Sequence, residues 1–293
     1  WSSTTKENSI MPITVYEHAA DFLAVTEEHL LADEVANALL VGISQRVAQG
    51  EGYSEEAPFF AAITDHDGAL IGATAMTPPY NVILALGTPS AAMPDLIATL
   101  RDNNWPVPGV IGPKAEAQAC AAAWADITGQ RNTIGMRQRV YELRAVKPPA
   151  RPASGQMRVT TLDDIDLITA WMDAFMQEAI PDDPPKDNRP VMEQRIAAGD
   201  IFVWEDEGQT VSVVAKARPV GSGITVNYVY TPPEHRRQGY ASSSVAALSQ
   251  HCLDMGYRYC TLFTDLDNPT SNDIYMQIGY EPVCDFMMIH FGE

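Results

Sequence analysis

Residues 229–248 read VYTPPEHRRQGYASSSVAAL, and the reading of this stretch decides the fold. Before it, residues 224–231 are rich in β-branched and aromatic side chains, the composition of a strand. Pro232 and Pro233 end that strand, because neither has an N–H to give to a ladder. After it, Ala241, Val245, Leu248, Cys252 and Met255 recur at helical spacing through 241–255, with no internal proline or glycine before Gly256. The stretch predicts a strand, a tight turn and a helix.

A turn of this kind aims several backbone N–H groups at one point. There the unpaired donors and the positive end of the helix dipole hold phosphate. Gly239 supplies a permissive backbone, and Ala241 is small enough to let a phosphate come close. The bland alternative is a basic turn that caps a helix, with Arg236 and Arg237 as solvated surface charges.

The spacing Arg236, two residues, Gly239, one residue, Ala241 resembles the acyl-CoA signature of the GNAT superfamily of N-acyltransferases. A second stretch, 264–280, reads TDLDNPTSNDIYMQIGY. On a helix beginning near Pro269, Asn268 is the N-cap, while Ser271 and Tyr275 share a face. This is similar to a later motif of the same superfamily, completed by Gly279 and Tyr280.

The resemblance implies cofactor contacts from the backbones of Val229, Tyr230, Thr231, Arg236, Arg237, Gln238, Gly239, Tyr240 and Ala241, from Ser271 and from the Asn268 side chain. Tyr275 becomes the expected general acid, facing the thioester sulfur. It also implies a fold class: α+β, with two tandem GNAT-like domains, each a mixed, mostly antiparallel sheet flanked by helices. Many relatives carry a Glu on the central strand, eleven residues before the arginine of the turn. Here that place is Thr225, with Asn227 next on the same face, and neither takes a proton at neutral pH. Glu178, Asp182 and Asp183 border the expected acceptor site and are the candidate carboxylates. His235 and His251 receive no role.

The chain has 293 residues, 46% hydrophobic and 19% charged, enough for two globular domains. Its 38 acidic against 19 basic residues leave a net charge of −19, which argues against a nucleic-acid-gripping face. An acidic surface, or a cationic substrate, fits that balance. No run is long enough to span a bilayer and no secretory leader stands at the start, so a cytoplasmic location is expected. The four cysteines form no CxxC pair and have no histidine at metal spacing, so no metal is expected.

The chain in order predicts a disordered or appended tail (1–10), a first domain (11–146), a Pro-rich linker (147–156, KPPARPASGQ) and a second domain (157–293). Both halves show the order β, α, α, β, β, β, α, β, α, β, which suggests an internal duplication. Where the second half has Arg236 to Ala241, the first has Ala85, Leu86, Gly87, Thr88, Pro89 and Ser90, with a proline where donors are wanted. The first domain is therefore expected to keep the shape without the cofactor turn. The expected activity is acetyl transfer from acetyl-CoA to a primary amine on a small molecule or peptide, by a monomer or homodimer. A non-catalytic CoA-binding module and a longer-chain or aminoacyl donor are the alternatives.

Overall fold

The computed structural model describes residues 10–50, 56–179 and 187–292. The first half contains β1 (Ile13–Tyr16), α1 (Ala19–Leu31), α2 (Ala38–Ala48), β2 (Phe59–Thr64), β3 (Leu70–Met76), β4 (Val82–Leu84), α3 (Met93–Asp102), β5 (Gly109–Pro113), α4 (Lys114–Thr128) and β6 (Arg131–Leu143). The second contains β7 (Gln156–Val159), α5 (Ile165–Ala179), α6 (Arg189–Ala197), β8 (Ile201–Asp206), β9 (Gln209–Val220), β10 (Gly223–Tyr230), α7 (Tyr240–Asp254), β11 (Tyr259–Asp265), α8 (Pro269–Gln277) and β12 (Glu281–Gly292). The expected order thus occurs twice.

The chain forms two compact units. One holds residues up to 140, with 265–267 and 283 onward; the other holds 141–264 and 268–282. In the first unit the strands lie in the order β1-β2-β3-β4-β5-β12-β6. Pairing is antiparallel from β1 to β4, parallel between β4 and β5, and antiparallel between β5 and β12. In the second unit the order, from the end of β6, is β11-β10-β9-β8-β7. There β7 to β10 are antiparallel and β10 and β11 are parallel. Pairing sense repeats along with element order, so the duplication extends to topology.

Three expectations change. The sequence assigns 281–291 to the second domain, but β12 joins the first unit, where Phe286 to His290 pair with Pro113 to Gly109. A side chain at Gly109 would lie 2.2 Å from the Ile289 carbonyl, so this close pairing requires glycine. The linker is not free chain. The Lys147 N–H donates to the Ile278 carbonyl (2.9 Å), the Ala153 N–H to Ser243 Oγ (2.9 Å) and Trp204 Nε1 to the Ser154 carbonyl (2.7 Å), laying 147–156 against the second unit. The sequence over 32–48 reads as one helical stretch, yet α2 begins only at Ala38. Asn37 Nδ2 donates to the Leu30 carbonyl (2.9 Å), which also accepts from the Asp33 N–H (3.3 Å), and together these set a turn at the end of α1. Apart from Ile10, the expected tail lies outside the described residues.

Each sheet is covered on both faces. In the second unit Ile224, Val226 and Leu262 pack with Val245, Leu248 and Cys252 of α7 and Tyr275 of α8. On the other face Tyr228, Tyr230, Val213 and Ala215 pack with Ile168 and Met172 of α5 and Met192 and Ile196 of α6. Each fully buried large apolar side chain stabilises the fold by roughly 1.5–3 kcal/mol, and these two layers hold β10 fixed between them.

Candidate functional site

The strand β10 is paired unequally. Its parallel ladder with β11 runs from Gly223 opposite Tyr259 to Thr225 opposite Thr261, whereas its antiparallel ladder with β9 continues to Tyr230 opposite Val213. Beyond Thr225 one edge of β10 is left without a ladder partner among the described residues. The register also slips by one residue between Asn227 and Tyr230, and Tyr228 takes φ +50°. This is a β-bulge, which bends the strand and re-aims the residues beyond it. Because of it Tyr228 and Tyr230 both face α5, and Val229 packs on the α7 side.

After Tyr230 the chain makes a 3₁₀ turn over Pro233–His235 and a left-handed step at Arg237 (φ +64°), then reaches Gly239 (φ +86°), the N-cap of α7. The first helical bond runs from the Ser243 N–H to the Gly239 carbonyl (3.0 Å). Ahead of it the N–H groups of Arg237, Gln238, Gly239, Tyr240, Ala241 and Ser242 have no protein partner among the described residues. They stand at the positive end of a 15-residue helix, where backbone donors and the helix dipole suit an anion. A side chain at Gly239 would meet the Arg151 carbonyl at 3.0 Å, in a backbone region that L side chains rarely adopt. The Tyr240 hydroxyl donates to Asp206 Oδ2 (2.6 Å), which also accepts from Ser154 Oγ, and this anchors the first turn of α7.

Arg236 is used otherwise than the turn suggests. Its Nε donates to the Thr231 carbonyl (2.8 Å), its Nη2 donates to both oxygens of Glu178 (2.8 Å each), and its guanidinium lies 5.8 Å from the Tyr230 ring centre. Glu178, a candidate base on sequence grounds, is therefore held as the partner of Arg236. Burial, followed by the Glu178 carboxylate, raises the pKa of Tyr230. Asp182 and Asp183 lie outside the described residues.

Asn268 caps α8 as expected: its Oδ1 accepts from the Ser271 N–H (3.1 Å), and the side chain is exposed. Asn272 ties that cap down, donating to the Asn268 carbonyl (2.8 Å) and accepting from the Tyr141 hydroxyl (2.9 Å). Tyr275 is 8% exposed and packs edge-on against Tyr280 at 6.0 Å. Its hydroxyl has no hydrogen-bond partner among the described residues, and burial pushes its pKa up to about 12.

Thr225 and Asn227 alternate with Ile224 and Val226 along β10, so they lie on the α5 and α6 face. Asn227 Oδ1 accepts from Arg195 Nη2 of α6 (3.1 Å). Thr225 is 2% exposed and its hydroxyl has no partner among the described residues. Asp173 of α5 accepts from Asn188 Nδ2 (2.8 Å) and acts on the buried Tyr228, whose pKa is raised by burial first, while Arg195 opposes the shift.

Residues 166–280 match the model described as the acetyltransferase (GNAT) family. These residues form a GNAT domain. Solved structures extend the likeness in fold to the rest of the chain. An acetyltransferase from the GNAT family of Colwellia psychrerythraea is 13% identical, with 96% of this chain and 98% of that chain covered and a TM-score of 0.58. A GCN5-related N-acetyltransferase from Sphaerobacter thermophilus is 14% identical, with 95% of each chain covered and a TM-score of 0.61. A tandem GNAT protein from the clavulanic acid biosynthesis pathway is 14% identical, with 97% and 98% covered and a TM-score of 0.56. No curated protein matches the sequence.

Within the GNAT domain, sequence reasoning misses Arg195 and Asp173. Arg195 does leave a trace: it sits between Met192 and Ile196 on the buried side of α6, an unusual place for a charge. Asp173 leaves none. The two histidines stay without a role; His235 lies 6.5 Å from the Tyr240 ring and His251 packs 5.3 Å from Phe202. Among the described residues no cluster of three or more His, Cys, Asp or Glu side chains is placed to hold a metal ion, and no helix is long and apolar enough to cross a membrane.

Proposed function

We propose that the GNAT domain binds an acyl-CoA, most directly acetyl-CoA, and transfers its acyl group to a primary amine by direct attack in a ternary complex. The observation that carries this reading is the run of N–H groups from Arg237 to Ser242, six without a protein partner among the described residues, at the end of a strand whose one edge has no ladder partner among them. This cradle of N–H groups receives the diphosphate. The free edge of β10 at Val229, Tyr230 and Thr231 takes the pantetheine amides as an added strand would. Asn268 and Ser271 bound the far side of the arm.

The chemistry needs donors where charge develops. The β10 amides serve the carbonyl oxygen, and Tyr275 serves the departing sulfur. With its pKa near 12, Tyr275 gives up its proton only uphill to a thiolate whose conjugate acid lies at about 8.5. Its part is therefore hydrogen-bond donation to sulfur, and the proton that ends there is the one the amine loses. Written in full, the ammonium releases one proton to solvent, the amine lone pair forms the N–C bond as the C–S bond breaks, and the second nitrogen proton passes to sulfur.

The first unit completes the proposal by binding no CoA. In its repeated order β4, β5 and α3 stand where β10, β11 and α7 stand in the second. In the turn after β4 the Gly87 N–H donates to Glu116 Oε1 (2.8 Å) and the Leu86 N–H to Asn37 Oδ1 (2.9 Å). The first unit's own carboxylate takes the place of an anion.

A CoA-binding module without catalysis is the competing reading, and Thr225 in place of a carboxylate favours it. Release of free CoA from acetyl-CoA in the presence of small primary amines and peptides separates the two. Amine-dependent release supports transfer; binding without release in a broad panel supports the module.

A further inference from the structure

The helix α8 buries little of itself. Of its nine residues only Asn272 and Tyr275 are buried. An asparagine on the buried side of so short a helix is unusual, since leucine has nearly the same branching and brings no amide to satisfy. The Asn272 amide is satisfied in both directions: Nδ2 donates to the Asn268 carbonyl (2.8 Å), and Oδ1 accepts from the Tyr141 hydroxyl (2.9 Å). Tyr141 is 1% exposed, and its carbonyl accepts from Thr261 Oγ1 (2.9 Å), so the donor is itself tied to β11.

The far end of α8 rests on the same stretch of chain. The Lys147 N–H donates to the Ile278 carbonyl (2.9 Å), and a side chain at Gly279 would lie 2.7 Å from the Ala145 carbonyl. Residues 141–147 therefore hold α8 near its start and just past its end. They belong to the second unit, yet Tyr141 lies on β6, the last strand of the first half, and all of them precede the 166–280 that match the family. Apolar burial is non-directional and lets a helix turn slightly about its axis. A buried, fully satisfied hydrogen-bond chain is directional and selects one setting.

We infer that Tyr141 is a positioning residue for transfer: through Asn272 it sets the rotation and height of α8, and with them the places of Asn268 and Tyr275 on the acyl-CoA arm. The inference rests on the transfer reading above. Tyr275 lies one turn beyond Asn272 on the same face. Its hydroxyl has no hydrogen-bond partner of its own among the described residues, so its place is decided by where α8 sits. The GNAT domain thus takes part of its working geometry from a strand outside the matched residues.

The test uses the full chain with acetyl-CoA, and glycinamide, lysine and putrescine as probe amines. Tyr141→Phe removes the donor alone. Its kcat should fall on the order of tenfold, while the thermal shift with acetyl-CoA remains, because the phosphate turn is built from other residues. If Tyr141 acts through Tyr275, the two losses do not multiply, and Tyr141→Phe combined with Tyr275→Phe should be no slower than Tyr275→Phe alone. Tyr141→Phe combined with Asn272→Leu leaves no amide unpaired, and the Asn268 carbonyl keeps the backbone N–H of position 272 (3.3 Å). That pair should recover the native unfolding midpoint and keep the low kcat. A native kcat in Tyr141→Phe, a kcat restored together with the midpoint, or losses that multiply with Tyr275→Phe overturns the inference alone. No transfer from the native protein to any of the three amines, with acetyl-CoA still stabilising the fold, overturns the transfer reading and the inference with it.

Discussion

Arg195 Nη2 donates both to Asn227 Oδ1, at 3.1 Å, and to the Lys216 carbonyl, at 3.2 Å, so one guanidinium nitrogen ties α6 to β10 and β9. Arg195→Met keeps most of the aliphatic stem and removes the donors, leaving a half-buried amide oxygen and a carbonyl unpaired. Urea unfolding should show a loss of about 1–3 kcal/mol. Acceptor KM should rise while the thermal shift with acetyl-CoA stays, because the cradle is built from other elements. An unchanged KM would remove Arg195 from the acceptor site.

Tyr275→Phe removes a buried hydroxyl and almost nothing else. Transfer should slow on the order of 10²-fold in kcat, with acetyl-CoA affinity unchanged, since the cradle is untouched. The same variant carries a signature in stability. The folded protein holds the Tyr275 proton to about pH 12, whereas the unfolded chain releases it near 10.0. The stability this group contributes is therefore present below pH 10 and lost as pH rises toward 12. Urea unfolding between pH 8 and 11 should show a shallower alkaline loss in Tyr275→Phe than in the native chain. Equal slopes would mean that the hydroxyl is solvated.

The contacts of Glu116 and Asn37 with the Gly87 and Leu86 N–H groups occupy two donors of the first unit's turn. Isothermal titration with CoA should give one site per chain. Glu116→Gln should leave that number at one, because Pro89 still removes a donor. Two sites in the native chain would show that the repeat has kept its ligand.

Much of this was legible in the sequence because it is local. The strand, the left-handed Gly239 and the helix from Tyr240 follow from prolines, a glycine and 3.6-residue spacing within 30 residues. So does the cap at Asn268. The rest depends on partners far apart in the chain. Glu178 reads as a free acid until Arg236, 58 residues on, takes both its oxygens. A proline-rich stretch looks like open linker until Ser243 accepts from Ala153, 90 residues away. The return of β12 to β5 has no local signal, since Phe286 to His290 would suit a strand in either unit.

The central claim is that the turn from Arg237 to Ala241 holds the phosphates of an acyl-CoA, and Ala241→Glu tests it most directly. A carboxylate in the first turn of α7 suits the helix dipole, so the fold should be unharmed or slightly stabilised, yet it places negative charge where the diphosphate must lie. The measurement is thermal unfolding with and without acetyl-CoA. At a hundredfold excess over its Kd the native protein should gain ~2.7 kcal/mol and a higher midpoint, and Ala241→Glu should gain nothing while unfolding at or above the native temperature without ligand. An equal shift in both proteins, or none in a well-folded native chain, would contradict the account.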